Sequence, residues 1–89
     1  MVTKSILLPP DAFFHARPAT LTASAAKPFQ SMIMVMVGVN MADAKSAVAM
    51  MRLPHPQGTP VELMADGADE LAALEAVASA IERSFSGQM

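Results

Sequence analysis

Cysteine is absent from the chain, which excludes a disulfide framework and a thiolate zinc site and fits a reducing compartment. Positive charge is scarce. Six Lys and Arg against eight Asp and Glu leave a formal net charge of −2, so the chain has no electrostatic footprint for nucleic acid. Long apolar runs are also missing: the longest, around Met32 to Val37, falls far short of the roughly 20 residues a membrane helix needs. The N-terminal stretch carries one lysine and a short apolar run interrupted by Pro9-Pro10, without the h-region and cleavage site of a signal peptide. A cytoplasmic protein is therefore expected. Tryptophan and tyrosine do not occur, and phenylalanine occurs only four times. Methionine is what the chain has in excess, with nine in 89 residues. Its thioether side chain fills irregular gaps and makes adaptable contact surfaces. With 53% hydrophobic and 16% charged residues, the composition is that of one globular domain over residues 1–89.

The hydrophobic pattern predicts seven elements. Val2 to Leu8 reads as a strand, with Ile6 and Leu8 alternating against Ser5 and Leu7, and Pro9-Pro10-Asp11 ends it. Ala16 to Lys27 reads as a helix that tolerates Pro18 in its first turn and stops at Pro28. Ser31 to Val37 is the clearest strand, Gly38 breaks it, and Val39 to Ala42 forms a return strand. Ser46 caps a short helix over Ala47 to Met51. Pro54 to Gly58 is loop, Thr59 to Ala65 a last strand, and Asp69 to Phe85 an amphipathic helix with Leu71, Leu74, Val77, Ala78, Ile81 and Phe85 on one face. The order β-α-β-β-α-β-α calls for an α+β fold, helices on one face of a mainly antiparallel four-stranded sheet.

The segment with chemical promise is His15-Ala16-Arg17-Pro18-Ala19. A histidine at the mouth of a helix meets unpaired backbone N–H groups and the positive end of the helix dipole. That setting favours a neutral ring with a nucleophilic nitrogen, and the same N–H groups can hold a phosphoryl group. Arg17 adds a planar donor fork suited to phosphate oxygens, and Pro18 fixes the turn. Five residues are a short motif, and a surface histidine that merely precedes a helix has the same look.

Two further segments join it. His15 to Ala19, Ala44-Lys45-Ser46 with its apolar run, and Gln57-Gly58-Thr59 together resemble the motifs of the histidine-containing phosphocarrier protein HPr family of the bacterial phosphoenolpyruvate:sugar phosphotransferase system. The resemblance spans nearly the whole chain. It implies an open-faced β-sandwich with three helices on one face. It also implies a carrier that takes a phosphoryl group from enzyme I onto Nδ1 of His15 and gives it to a IIA domain, either a sugar-specific one that serves sugar uptake or one in a regulatory relay, such as nitrogen-related phosphotransfer, without transport. Arg17 and the first-turn segment Ala16, Arg17 and Pro18 would support that group, and no metal or bound cofactor is required. Ser46, a helix N-cap on its own chemistry, becomes by the resemblance a regulatory phosphorylation site for an HPr kinase/phosphorylase. A phosphate there would add about two negative charges beside the docking face. The family's docking surface maps onto Ala47, Val48 and Met51 of the second helix and Thr20, Ser24 and Lys27 of the first.

The chain also departs from the family. Asp11-Ala12-Phe13-Phe14 stands where a glycine and a branched aliphatic residue usually precede the histidine, which restricts that loop and puts Phe13 near the site. Pro54-His55-Pro56 is stiffer than the family's glycine-bearing loop, and His55 itself reads as a solvated side chain. Strand alternation puts Ile33, Val35 and Val37 on one face and Met32, Met34 and Met36 on the other, joined by Leu7 and Met64 with Glu62 nearby. A methionine patch on an open sheet face has two readings: tolerated apolar surface, or a face covered by a second subunit, as a homodimer, or by another protein. The competing function is an HPr-like binding module that regulates partners without transferring phosphate. Intact His15 and Arg17 weigh against it. Two histidines with no cysteine make poor material for an independent hydrolase or metal enzyme.

Overall fold

The computed structural model describes residues 1–9, 12 and 14–86. The elements follow the expected order: β1 (Val2–Ile6), α1 (Ala16–Ala26), β2 (Met32–Val37), β3 (Asn40–Asp43), α2 (Ala47–Met51), β4 (Val61–Asp66) and α3 (Glu70–Ser86). The four strands form one sheet in the order β1-β4-β2-β3, and every neighbouring pair is antiparallel. The three helices cover one face of it, as in an open-faced sandwich. Among the described residues, no helix is long and apolar enough to cross a membrane.

Alternation along the strands decides which face is dry. Ile33, Val35 and Val37 of β2 and Val61, Leu63 and Ala65 of β4 are buried beneath the helices. Against them lie Ala73, Val77 and Ile81 of α3, while α1 contributes Ala19, Ala23 and Ala26, whose small side chains let the two helices approach closely. α2 buries only Met50.

Several boundaries differ from the sequence pattern. β1 ends at Ile6, although the alternation runs on, with Leu7 exposed and Leu8 buried. Val39 sits in the turn rather than in β3, because Gly38 at φ +61 starts a reversal that pairs Val37 with Asn40. Thr59 and Pro60 precede β4. Leu71 is a correction: it is 66% exposed. Its angle on the helical wheel fits the inner stripe, but it stands in the first turn of α3, ahead of Ala73 and Leu74 where packing on the sheet begins.

The end of the sheet far from His15 is closed by hydrogen bonds. The Asp69 carboxylate accepts from the Gln30 N–H at 2.9 Å, the Ser31 N–H at 2.9 Å and the Ser31 hydroxyl. The Ser31 hydroxyl first, and then the Gln30 N–H, hold the Asp69 carboxyl below the usual carboxylate range. Gly67, at φ +153, packs on Ser31 so closely that a Cβ there would stand 2.7 Å from the Ser31 Cα. These contacts tie the segment after α1 to the start of α3.

Candidate functional site

Ile6, Val37 and Val61 meet at one end of the sheet, where β1 ends in the direction of α1 and the segment 54–60 leads into β4. His15 stands there as the N-cap of α1, with extended backbone (φ −83, ψ −175) and an exposed side chain that makes no capping hydrogen bond to the helix. The first intrahelical bond runs from the Ala19 N–H to the His15 carbonyl at 3.1 Å. The N–H groups of Ala16 and Arg17 therefore have no acceptor within the helix, and Pro18 has no N–H at all. Pro18 is buried within that first turn. Arg17 is exposed, two residues from His15. The arrangement is an exposed imidazole followed by two outward amides and a guanidinium, a set that can carry an anionic group on the ring and share its charge.

What precedes the histidine is anchored from beneath. Phe14 is buried and meets the ring of Phe85 on α3 edge to face, with centroids 5.7 Å apart and an interplanar angle of 85°. Ala12 is buried too, and its N–H donates to the Pro9 carbonyl at 2.9 Å. Phe14 is thus a core residue directly ahead of the exposed His15. Phe13, expected beside the site, lies outside the described residues, as do Pro10 and Asp11.

Beside α1 packs α2, capped as expected: the Ser46 hydroxyl accepts from the Ala49 N–H at 3.2 Å. Ser46 is half-buried. The Lys45 ammonium donates to the Phe29 carbonyl at 2.7 Å, which joins the entry of α2 to the segment after α1. Val48 and Met51 are 61% and 47% exposed, and Ala47 is half-buried against the core. Thr20, Ser24 and Lys27 are exposed along α1. The two helices therefore bring the expected docking residues to one surface. Leu21 belongs to it as well. It is 46% exposed, one turn after Arg17, on the side of α1 opposite the buried Thr22, Ala23 and Ala26. A helical wheel drawn on α1 would have found it. Around this surface stand the cations Arg17, Lys27, Lys45 and Arg52. His55 is exposed in the 54–58 loop, where Gln57 at φ +50 and Gly58 at φ +89 make the turn.

Comparison with known proteins agrees with this geometry. Residues 2–83 match the family model described as the PTS HPr component phosphorylation site. The chain is 41% identical over 85 residues to the phosphocarrier protein HPr of Treponema pallidum, covering 96% of this chain and 92% of that one. Its fold superposes on the crystal structure of HPr from Thermoanaerobacter tengcongensis with a TM-score of 0.85, at 35% identity and with both chains fully covered. Crh of Bacillus subtilis, a catabolite-repression protein whose crystal structure is a domain-swapped dimer, matches with a TM-score of 0.73 at 32% identity over 96% of this chain and 98% of that one.

Proposed function

The chain belongs to the HPr family of phosphocarrier proteins, and from that premise we propose that it accepts a phosphoryl group on His15 from phospho-enzyme I in the cytoplasm and passes it to a IIA-type domain. The observation that carries this reading is the placement of His15: an exposed N-cap whose ring is not used for capping, directly ahead of the outward amides of Ala16 and Arg17. A ring nitrogen of His15, Nδ1 in the family, attacks phosphorus as the bond from phosphorus to the donor breaks. Transfer to the acceptor is the reverse exchange, so no water enters the balance. The two amides and Arg17 hold the phosphoryl oxygens while the P–N bond persists. Thr20, Ser24, Lys27, Ala47, Val48 and Met51 form the surface on which donor and acceptor dock in turn, Leu21 extends it, and its cations favour partners with an acidic contact face. Ser46 is the site at which a kinase would regulate docking. Its phosphate would place negative charge beside that surface.

Incubation with phosphoenolpyruvate and a bacterial enzyme I, followed by intact mass with and without acid, tests the reading. An acid-labile gain of one phosphoryl group, absent in His15→Ala, is expected. A phosphate on Ser46 would survive the acid. The likeness to Crh supports a second reading, a regulatory module that docks without transfer; retained partner binding with no acid-labile gain would favour it. A homodimer through Met32, Met34 and Met36 would set Asp43 and Glu62, which lie on the same sheet face as the direct partners of Met34 and Met36, against a surface with no Lys or Arg at its strand positions, so a monomeric carrier is the assembly we favour, checked by equilibrium sedimentation at micromolar concentration.

A further inference from the structure

The uncovered face of the sheet has a composition unlike the rest of the surface. Its strand positions carry five methionines, Met32, Met34, Met36, Met41 and Met64. Register places them side by side: Met34 is the direct partner of Met64, and Met36 the direct partner of Met41. Met32 and Met41 are 53% and 62% exposed, and the other three are half-buried. Three carboxylates border them. Asp43 pairs with Met34, Glu62 with Met36 and Asp66 with Met32. Thr3 and Ser5 complete the face, and Ser5 donates its hydroxyl to Glu62. No Lys or Arg occupies a position on this face among the described strand residues. The Met1 ammonium lies 3.6 Å from Asp66, and the Asp43 carboxylate accepts the Lys45 N–H at 2.9 Å, so Asp43 and Glu62 keep their charge with no Lys or Arg beside them at the strand positions of this face.

We infer that this face docks a cationic amphipathic segment of a partner protein, independently of the His15 surface. The methionines give an apolar platform whose unbranched thioethers re-pack around irregular side chains. The carboxylate border selects Lys or Arg beside those side chains and repels an acidic protein or an anionic lipid surface. A second copy of this chain fits poorly, because a face-to-face contact sets Asp43 and Glu62 against a surface whose strand positions carry no Lys or Arg. The His15 surface has the opposite character, with Arg17, Lys27, Lys45 and Arg52 around it. The helices and the sheet lie between the two surfaces, so both can be occupied at once.

The probe is a short fluorescein-labelled amphipathic helix of leucine and lysine, with a leucine–glutamate peptide as control, read by fluorescence anisotropy on the full chain. The lysine peptide binds in the micromolar range at low salt and weakens about tenfold or more near 0.15 M, while the glutamate peptide does not bind. Met34→Thr with Met36→Thr keeps strand propensity and lowers affinity about tenfold. Asp43→Asn with Glu62→Gln lowers affinity and flattens the salt dependence, while Glu75→Gln with Glu82→Gln on α3 changes neither. Circular dichroism and phosphoryl acceptance at His15 stay at their parent values in all three variants. Equal binding of both peptides, or binding indifferent to the methionine pair, overturns the inference. So does binding of anionic vesicles that the Met34/Met36 variant abolishes, or a sedimenting dimer that it dissolves, which would make lipid or a second copy the occupant.

Discussion

Phe14→Ala probes the link between core and site. Phe14 is 2% exposed and meets Phe85, 7% exposed, edge to face at 5.7 Å. Truncating a buried phenylalanine costs about 3–5 kcal/mol, and an aromatic pair of this geometry contributes about 0.5–1.5 kcal/mol of that. Phe85 is near the end of α3, where the helix can settle into the space, so Phe85→Ala should cost less, about 2–3 kcal/mol. The double variant should fall short of the sum by about 1 kcal/mol, because the ring contact is lost only once. A chain of 89 residues has a total stability of roughly 4–13 kcal/mol. Phe14→Ala therefore removes a large share of it and lowers Tm by about 15–30 °C. Urea denaturation of the parent, both single variants and the double variant measures all four corners. A cost below about 1 kcal/mol for Phe14→Ala, or strict additivity in the cycle, would refute the view that this ring pair anchors the segment leading to His15.

Gly67→Ala should cost about 2–4 kcal/mol in the same assay, since it adds a clash with the Ser31 backbone to an unfavourable φ of +153. Gly58→Ala, with φ +89 but open space around the new Cβ, should cost only about 1 kcal/mol. Ser46→Ala loses the cap to the Ala49 N–H and about 1 kcal/mol, whereas Ser46→Asp keeps a cap and most of the stability yet slows acceptance from phospho-enzyme I. Asp69 has its folded-state pKa lowered, so its contribution is fully present above the ordinary carboxylate value of about 3.9 and is lost as pH falls below that, through the folded value. Asp69→Asn should flatten that acid limb of stability, measured by urea midpoints across the range.

Legibility in the sequence followed the range of the interaction. The face of β2, the cap at Ser46 and the position of His15 before α1 all depend on residues within one strand or one turn, and all were readable. Met64 could be placed beside the other methionines by alternation alone, but Met41 could not, because shifting β3 by one residue to Asn40–Asp43 reverses which of its side chains face outward. The Phe14–Phe85 contact joins residues far apart in the chain, and no local pattern announces it. Leu71 shows the converse limit: periodicity gives the direction of a side chain but not whether a neighbour waits there.

The strand order β1-β4-β2-β3 also sets a timetable for the chain as it is made. β1 emerges first, yet its partner is β4, which begins at Val61. At ~5–20 residues per second, β1 waits on the order of 3–10 s for a neighbour. Thr3, Lys4 and Ser5 within it keep that waiting strand soluble. β2 is the reverse case. Its Met-Ile-Met-Val-Met-Val has neither charge nor proline and would be the segment most prone to stray pairing. It is also the strand whose hairpin partner, β3, arrives after only two intervening residues, Gly38 and Val39. The stickiest strand is matched almost as soon as it exists, and the strand that must wait is the one that can afford to stay unpaired in water.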